Sequence, residues 1–231
     1  MSKATYDREN KHCNPYHIEN NVLCVIEIKT SGPKPYFHDI VDLAILPVDG
    51  RFQPSKVFKP FHVISYPKRP KNIVVGAGNN ISRENLVRVL ETGMMPDIAT
   101  TLFHSWFTEM KLAKNGKLIP VAFNWSATLP FLEDWLGWSC DTQKPVMYDY
   151  YFCEGVYRDV IAINGYLQDM AWFNSVNLPF HFNETRKSLI MKIMEVEPSY
   201  AEGTYAACID TANIFKAYQA LHLPTGISFI K

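Results

Sequence analysis

Residues 22–28 read Val-Leu-Cys-Val-Ile-Glu-Ile, an apolar run broken by a single carboxylate. The run is too short to cross a bilayer and shows no polar alternation, which describes a strand covered on both faces. Such a strand needs a layer above it and a layer below it, so the chain must build a sheet with helices packed against it. Lys29-Thr30-Ser31-Gly32-Pro33 ends the run with a turn signal. Glu27 falls near the C-terminal end of the strand, where open α/β sheets collect their ligands. A carboxylate in that setting is costly unless it is paired or metal-bound.

The segments that follow supply the rest of the sheet and its cover. Residues 40–46 form a second apolar segment that closes at Val48-Asp49-Gly50, where Asp-Gly favours a tight hairpin turn. Residues 57–64 read as a third strand, giving an antiparallel meander. Beyond a Pro/Lys-rich loop at 67–71 and a Gly/Asn-rich stretch at 76–80, helices are predicted over 82–93 and from 97 to about 114, with Ser82 and Asp97 as N-caps. Residues 117–123 read as a strand. The next helix should open at about 126–128, because Pro130 is tolerated only in a first turn. A strand over 145–152 and helices over 156–173 and 204–221 complete the pattern. A meander followed by strands alternating with helices predicts an α/β fold, a mixed sheet flanked by helices. Residues 1–20 are read as a polar N-terminal tail and 21–231 as one domain.

Composition narrows the function classes. The 231 residues carry 23 Lys+Arg against 23 Asp+Glu, so no overall basic field draws the chain to nucleic acid, although a local basic groove remains open. The five cysteines are widely spaced and include no C-x-x-C pair, which argues against a disulfide framework and for a cytoplasmic location. The N-terminus lacks a signal-peptide core and no run is long enough for a membrane span. His12, Cys13 and His17 cluster in the tail, but without a fourth ligand they read as solvated residues before they read as a metal site.

Near the C-terminus, Asp210 shares a helical stripe with Ala206, Ala207, Ile214, Ala217 and Leu221. A carboxylate on that apolar face reads either as hydrogen-bonded to nearby backbone or as an inward-pointing site residue. The stretches around Glu27 and Asp210 belong to an ordered set. They are Val25-Ile26-Glu27-Ile28-Lys29-Thr30-Ser31-Gly32; Ile40-Val41-Asp42-Leu43-Ala44-Ile45 with Asp49-Gly50; Asn80-Ile81-Ser82-Arg83-Glu84-Asn85-Leu86; Phe123-Asn124-Trp125-Ser126-Ala127-Thr128-Leu129-Pro130-Phe131-Leu132; and Tyr205-Ala206-Ala207-Cys208-Ile209-Asp210-Thr211-Ala212. In order and separation, from about residue 21 to 221, the set resembles the motifs of the DnaQ-like (DEDD) 3′-5′ exonucleases, which have a ribonuclease H-like fold.

The resemblance implies a site and also shows how far this chain departs from it. In that family four carboxylates hold two divalent cations, Mg2+ or Mn2+, which activate water and stabilise the leaving 3′ oxygen, while a His takes the water's proton. At the matching positions this chain has Glu27 for the first Asp, Lys29 for its paired Glu, Thr128 for the second-motif Asp and Tyr205 for the His; Asp210 alone is unchanged. Two carboxylates and an added ammonium leave two cations badly under-neutralised. Lys29 is expected to sit where a metal would, pairing Glu27 and Asp210 and removing any need for a metal.

The implied protein is thus an exonuclease fold with an impaired centre, binding a single-stranded nucleic acid 3′ end or a protein partner. An active exonuclease would need Glu27, Asp210 and a third ligand such as Asp159 or Asp149. A further alternative is an interaction or inhibitor module that does not touch nucleic acid. Asp159 also reads as a charge complementing a helix N-terminus, and Tyr205 as a packing aromatic. For nucleic-acid contact the candidates are Thr30, Ser31 and Asn124 in the motifs, Trp125 for stacking on a base, and the basic run Lys68, Arg69 and Lys71 for phosphate.

Overall fold

The computed structural model describes residues 20–75, 82–112, 116–137, 148–153, 155–173, 187–193, 195–199 and 203–220. The His12, Cys13 and His17 cluster, the stretch at 76–80 and Ile81 lie outside them, as does the structure of the N-terminal tail.

The run that opens the sequence is the central strand β1, Val22–Thr30. It pairs antiparallel with β2, Ile40–Val48, and β2 pairs antiparallel with β3, Phe61–Ile64. On its other side β1 runs parallel to β4, Leu118–Ala122, which runs parallel to the short β5, Arg158–Asp159. The sheet order is β3-β2-β1-β4-β5, the expected meander followed by parallel strands.

Period-two alternation sends the side chains of β1 into two separate cores. Leu23 and Val25 pack with Ala44, Leu46 and Val121 against Cys208, Ala212 and Phe215 of α7, Thr204–Ala220. Val22, Cys24, Ile26 and Ile28 pack on the opposite face against Phe103 of α2, Pro96–Glu109, and against Phe131 and Trp135 of α3, Trp125–Leu136. Glu27 and Lys29 have the parity of Val25, so the alternation assigns both to the α7 face. The remaining helices are α1, Arg83–Thr92; α4, Tyr148–Tyr151; α5, Val160–Phe173; and α6, Lys187–Ile193.

Several boundaries move for local reasons. Residues 148–151, expected in a strand, form the single turn α4, whose Tyr151 packs edge-on against Phe103 and bonds His104 Nδ1 at 3.0 Å. The fifth strand comes later, at Arg158–Asp159, and α5 starts at Val160, not at residue 156. The Asp49-Gly50 turn forms, but it does not join β2 directly to β3. Asp49 Oδ1 accepts from the N–H groups of Arg51 and Gln53 at 2.8 and 3.0 Å, and β3 begins only at Phe61, after Pro60. Helix α2 ends at Glu109 because Lys111 turns to a left-handed φ of 47°. Asn124 caps α3 by accepting from Ala127 N–H at 3.2 Å, so Pro130 lies inside the helix and the Ser126 carbonyl lacks its helical donor. The cysteine reading is also corrected. Cys24 and Cys208 are free and buried, but Cys153 is disulfide-bonded, so cysteine usage does not argue for a reducing compartment.

Gly32 is required where the turn after β1 meets the body of the protein. A Cβ there would lie 2.1 Å from the ring of buried His38, whose Nδ1 accepts from Lys34 N–H at 3.0 Å. Gly32→Ala should lower the unfolding free energy by about 1–3 kcal/mol through overpacking. In urea denaturation, Gly32→Ala combined with His38→Ala should cost less than the two single changes added together; strict additivity would contradict the contact.

Candidate active-site cleft

At the C-terminal end of β1 the α7 face opens into a cleft of about 1320 Å³. Its lining includes Glu27 and Lys29 from β1, Asn124 and Thr128 from the start of α3, Lys187 and Lys192 from α6, and Asp210 from α7. Residues far apart in sequence, picked out at the first, second and third motifs, therefore share one wall. The cleft also takes Glu195 and Glu197 from the segment after α6, so it presents four carboxylates and three ammonium groups.

The carboxylates are already engaged. Glu27 Oε1 accepts from Lys187 Nζ at 2.7 Å and from the Thr211 hydroxyl, and Lys187 Nζ also donates to the Ala207 carbonyl at 2.5 Å. The cation on Glu27 is thus Lys187, delivered by α6, in place of the Lys29 pairing expected from the sequence. Asp210 Oδ1 accepts from Ser199 N–H at 2.7 Å, which ties the segment after α6 to α7. Thr128, at the second-motif carboxylate position, donates its hydroxyl to the Asn124 carbonyl at 2.9 Å, a bond within α3.

The other singled-out residues divide clearly. Asp159 is buried at the end of β5, where it accepts from Trp125 N–H at 2.6 Å and from Ile161 N–H at 2.8 Å. It bridges the N-termini of α3 and α5, whose backbone donors are otherwise unsatisfied. Burial pushes its carboxyl above the ordinary aspartate range, against the pull of these backbone N–H groups. Asp149 is exposed on α4, with its carbonyl accepting from Lys117, and does not line the cleft. Thr30 and Ser31 are buried. The Thr30 hydroxyl donates to the Gly32 carbonyl at 2.8 Å, and Ser31 Oγ accepts from Asp39 N–H at 2.8 Å, so both shape the turn.

Trp125 is buried with its ring stacked on exposed Tyr157, centroids 6.4 Å apart. Tyr205 is exposed in the first turn of α7. In the basic run, Arg69 bonds Asp39 at 2.7 Å and both oxygens of Asp134 at 2.9 and 3.2 Å, so its guanidinium pins the β1–β2 connection to α3. Lys68 and Lys71 are exposed beside it. Lys187 and Thr211 are the functional residues the sequence reading missed. The available signal was a lysine at the head of the apolar stretch 187–193, and a hydroxyl directly after Asp210.

The donor set does not fit two divalent cations. Among the described residues, no group of three or more His, Cys, Asp or Glu side chains is arranged to hold a metal ion. Glu27 meets an ammonium and Asp210 a backbone N–H, two partners that oppose metal coordination at those oxygens.

No protein-family profile matches the chain, and no curated protein matches it by sequence. Its likeness to known proteins is one of shape. Cell-death related nuclease 4 (CRN-4) superposes with a TM-score of 0.56 at 11% identity, covering 87% of this chain and 64% of that one. E. coli exonuclease I in complex with a dA16 oligonucleotide gives 0.56 at 14% identity, covering 87% and 41%. The nuclease domain of 3′hExo, a DEDDh family member bound to rAMP, gives 0.51 at 11% identity, covering 87% and 91%. This chain therefore spans less than two thirds of the first two proteins. It has the ribonuclease H-like fold of the DnaQ-like exonucleases.

Two stability measurements check this site. Lys187→Met leaves the Glu27 carboxylate, only 15% exposed, without its cation and should cost about 2 kcal/mol. Adding Glu27→Gln should return part of that loss in urea denaturation, whereas a double variant as damaged as the sum would deny the coupling. For Asp159, the folded carboxyl titrates above the unfolded one, so its stabilising contribution is full below the unfolded value and is lost as pH rises through the folded value. Relative to Asp159→Asn, the wild type should gain stability as pH falls through that window; a pH-independent difference would contradict the burial of Asp159.

Proposed function

We propose that this protein uses the exonuclease fold without hydrolysing phosphodiester bonds, and that its cleft holds a single-stranded nucleic acid 3′ end. The observation that carries the reading is the Lys187 ammonium on Glu27, at the position where the resemblance calls for a metal ligand. Loss of Asp at Thr128 and of Glu at Lys29 removes two more of the ligands a two-metal mechanism uses. Support for the ligand class is indirect. Structural neighbours include exonuclease I bound to single-stranded DNA, and the ammonium groups of Lys29, Lys187 and Lys192 are suitably typed for phosphate. In this reading Mg2+ and Mn2+ are not required. Among the described residues no helix is long and apolar enough to cross a membrane. A protein partner is the second reading, favoured by an exposed apolar face on α1 and α2.

The test is a nuclease assay on 3′-labelled single-stranded DNA and RNA with Mg2+ or Mn2+, paired with binding measured across a salt series. We expect no shortening of either strand, and binding that weakens with salt and with Lys192→Ala. Metal-dependent degradation abolished by Asp210→Ala would overturn the proposal. Absence of strand binding at low salt would leave the protein-partner reading in its place.

A further inference from the structure

Helix α1 is held by little of its own surface. Of its ten residues only Val89 is buried, packed on Val41 of β2. A helix this short is marginal by itself and needs packing to persist. Its outward face is nevertheless apolar. Val87 and Leu90 of α1, Met94 and Met95 of the connection, and Ile98 and Leu102 of α2 are each 41–55% exposed. The spacings 87, 90, 94 and 95, 98, 102 place them in two adjoining stripes. None of the six lines the cleft. Clustered apolar exposure of this kind marks a contact surface, and the methionines suit an adaptable one.

The charges on the same face indicate what covers it. Arg83, Val87 and Glu91 stand four residues apart in one row, with the cation in the first turn of α1 and the anion in the last. Both placements oppose the helix dipole, whose positive end is the N-terminus. Neither Arg83 nor Glu91 has an ion-pair partner among the described residues. An antiparallel copy of the same helix corrects both faults, because it brings an anion to the N-terminus and a cation to the C-terminus.

We propose that the α1–α2 face is the contact between two copies of this chain, with the α1 helices antiparallel and Val87 on the twofold axis. In that register Arg83 of each copy faces Glu91 of the other, and the apolar stripes cover one another. The contact is isologous, so every favourable pair occurs twice. It lies apart from the cleft, so it stands whether or not the cleft binds a strand.

Sedimentation equilibrium of the full chain over a concentration series tests it. We expect the mass to rise from that of one chain to that of two, and Val87→Asp to keep the protein monomeric with unchanged far-UV circular dichroism. Arg83→Glu alone and Glu91→Arg alone should each weaken dimerisation roughly tenfold, from two exposed pairs lost together. The double exchange should restore it, a rescue that a generally sticky surface would not show. A wild type that stays monomeric, or a dimer indifferent to Val87→Asp and to the charge exchanges, would overturn the proposal.

Discussion

The half-buried ion pair between Glu27 and Lys187 joins three parts of the molecule that are otherwise distant in sequence. Glu27 projects from the central strand, Lys187 heads α6, and the same ammonium reaches the Ala207 carbonyl of α7. Thr211 completes the acceptor's surroundings from one turn further along α7. A carboxylate set in an apolar strand has to be compensated, and here the compensation also holds α6 over the end of the sheet. The Asp210 bond to Ser199 N–H fastens the segment that follows. The two carboxylates closest to the family's metal positions therefore work as structural anchors for the wall of the cleft.

The same logic accounts for Asp159, Arg69 and the turn after β1. Asp159 sits where two helix N-termini converge, and backbone N–H groups supply the compensation a metal would otherwise give. Arg69 spends its guanidinium between Asp39 and Asp134. Charged residues that looked like chemistry in isolation are used to join elements. What remains facing the cleft is a mixed set of four carboxylates and three ammonium groups, a surface typed for binding more than for holding divalent cations.

The sheet was legible because its signals are local and strong. The apolar run of β1, the meander and the ordered motifs all survive in the structure, as does the convergence of Glu27, Lys29, Asn124, Thr128 and Asp210 on one cleft. What was not legible depended on tertiary placement. The identity of the cation on Glu27 required knowing that a lysine 160 positions later returns to β1. The segment 148–151 reads as a strand from its aromatics, but those rings pack under α2 as a helical turn. Asp159 offered the same residue type for a metal ligand or a cap, and only the approach of Trp125 N–H separates the two.

The central claim is that an ammonium stands in the place of a metal. Titration calorimetry of the full chain with Mn2+ addresses it directly, because it reads cation binding without requiring a substrate. The predicted result is no binding heat from the cleft for the wild type in the concentration range where two-metal nucleases fill their sites. Stoichiometric Mn2+ binding that is lost in Glu27→Gln would contradict it.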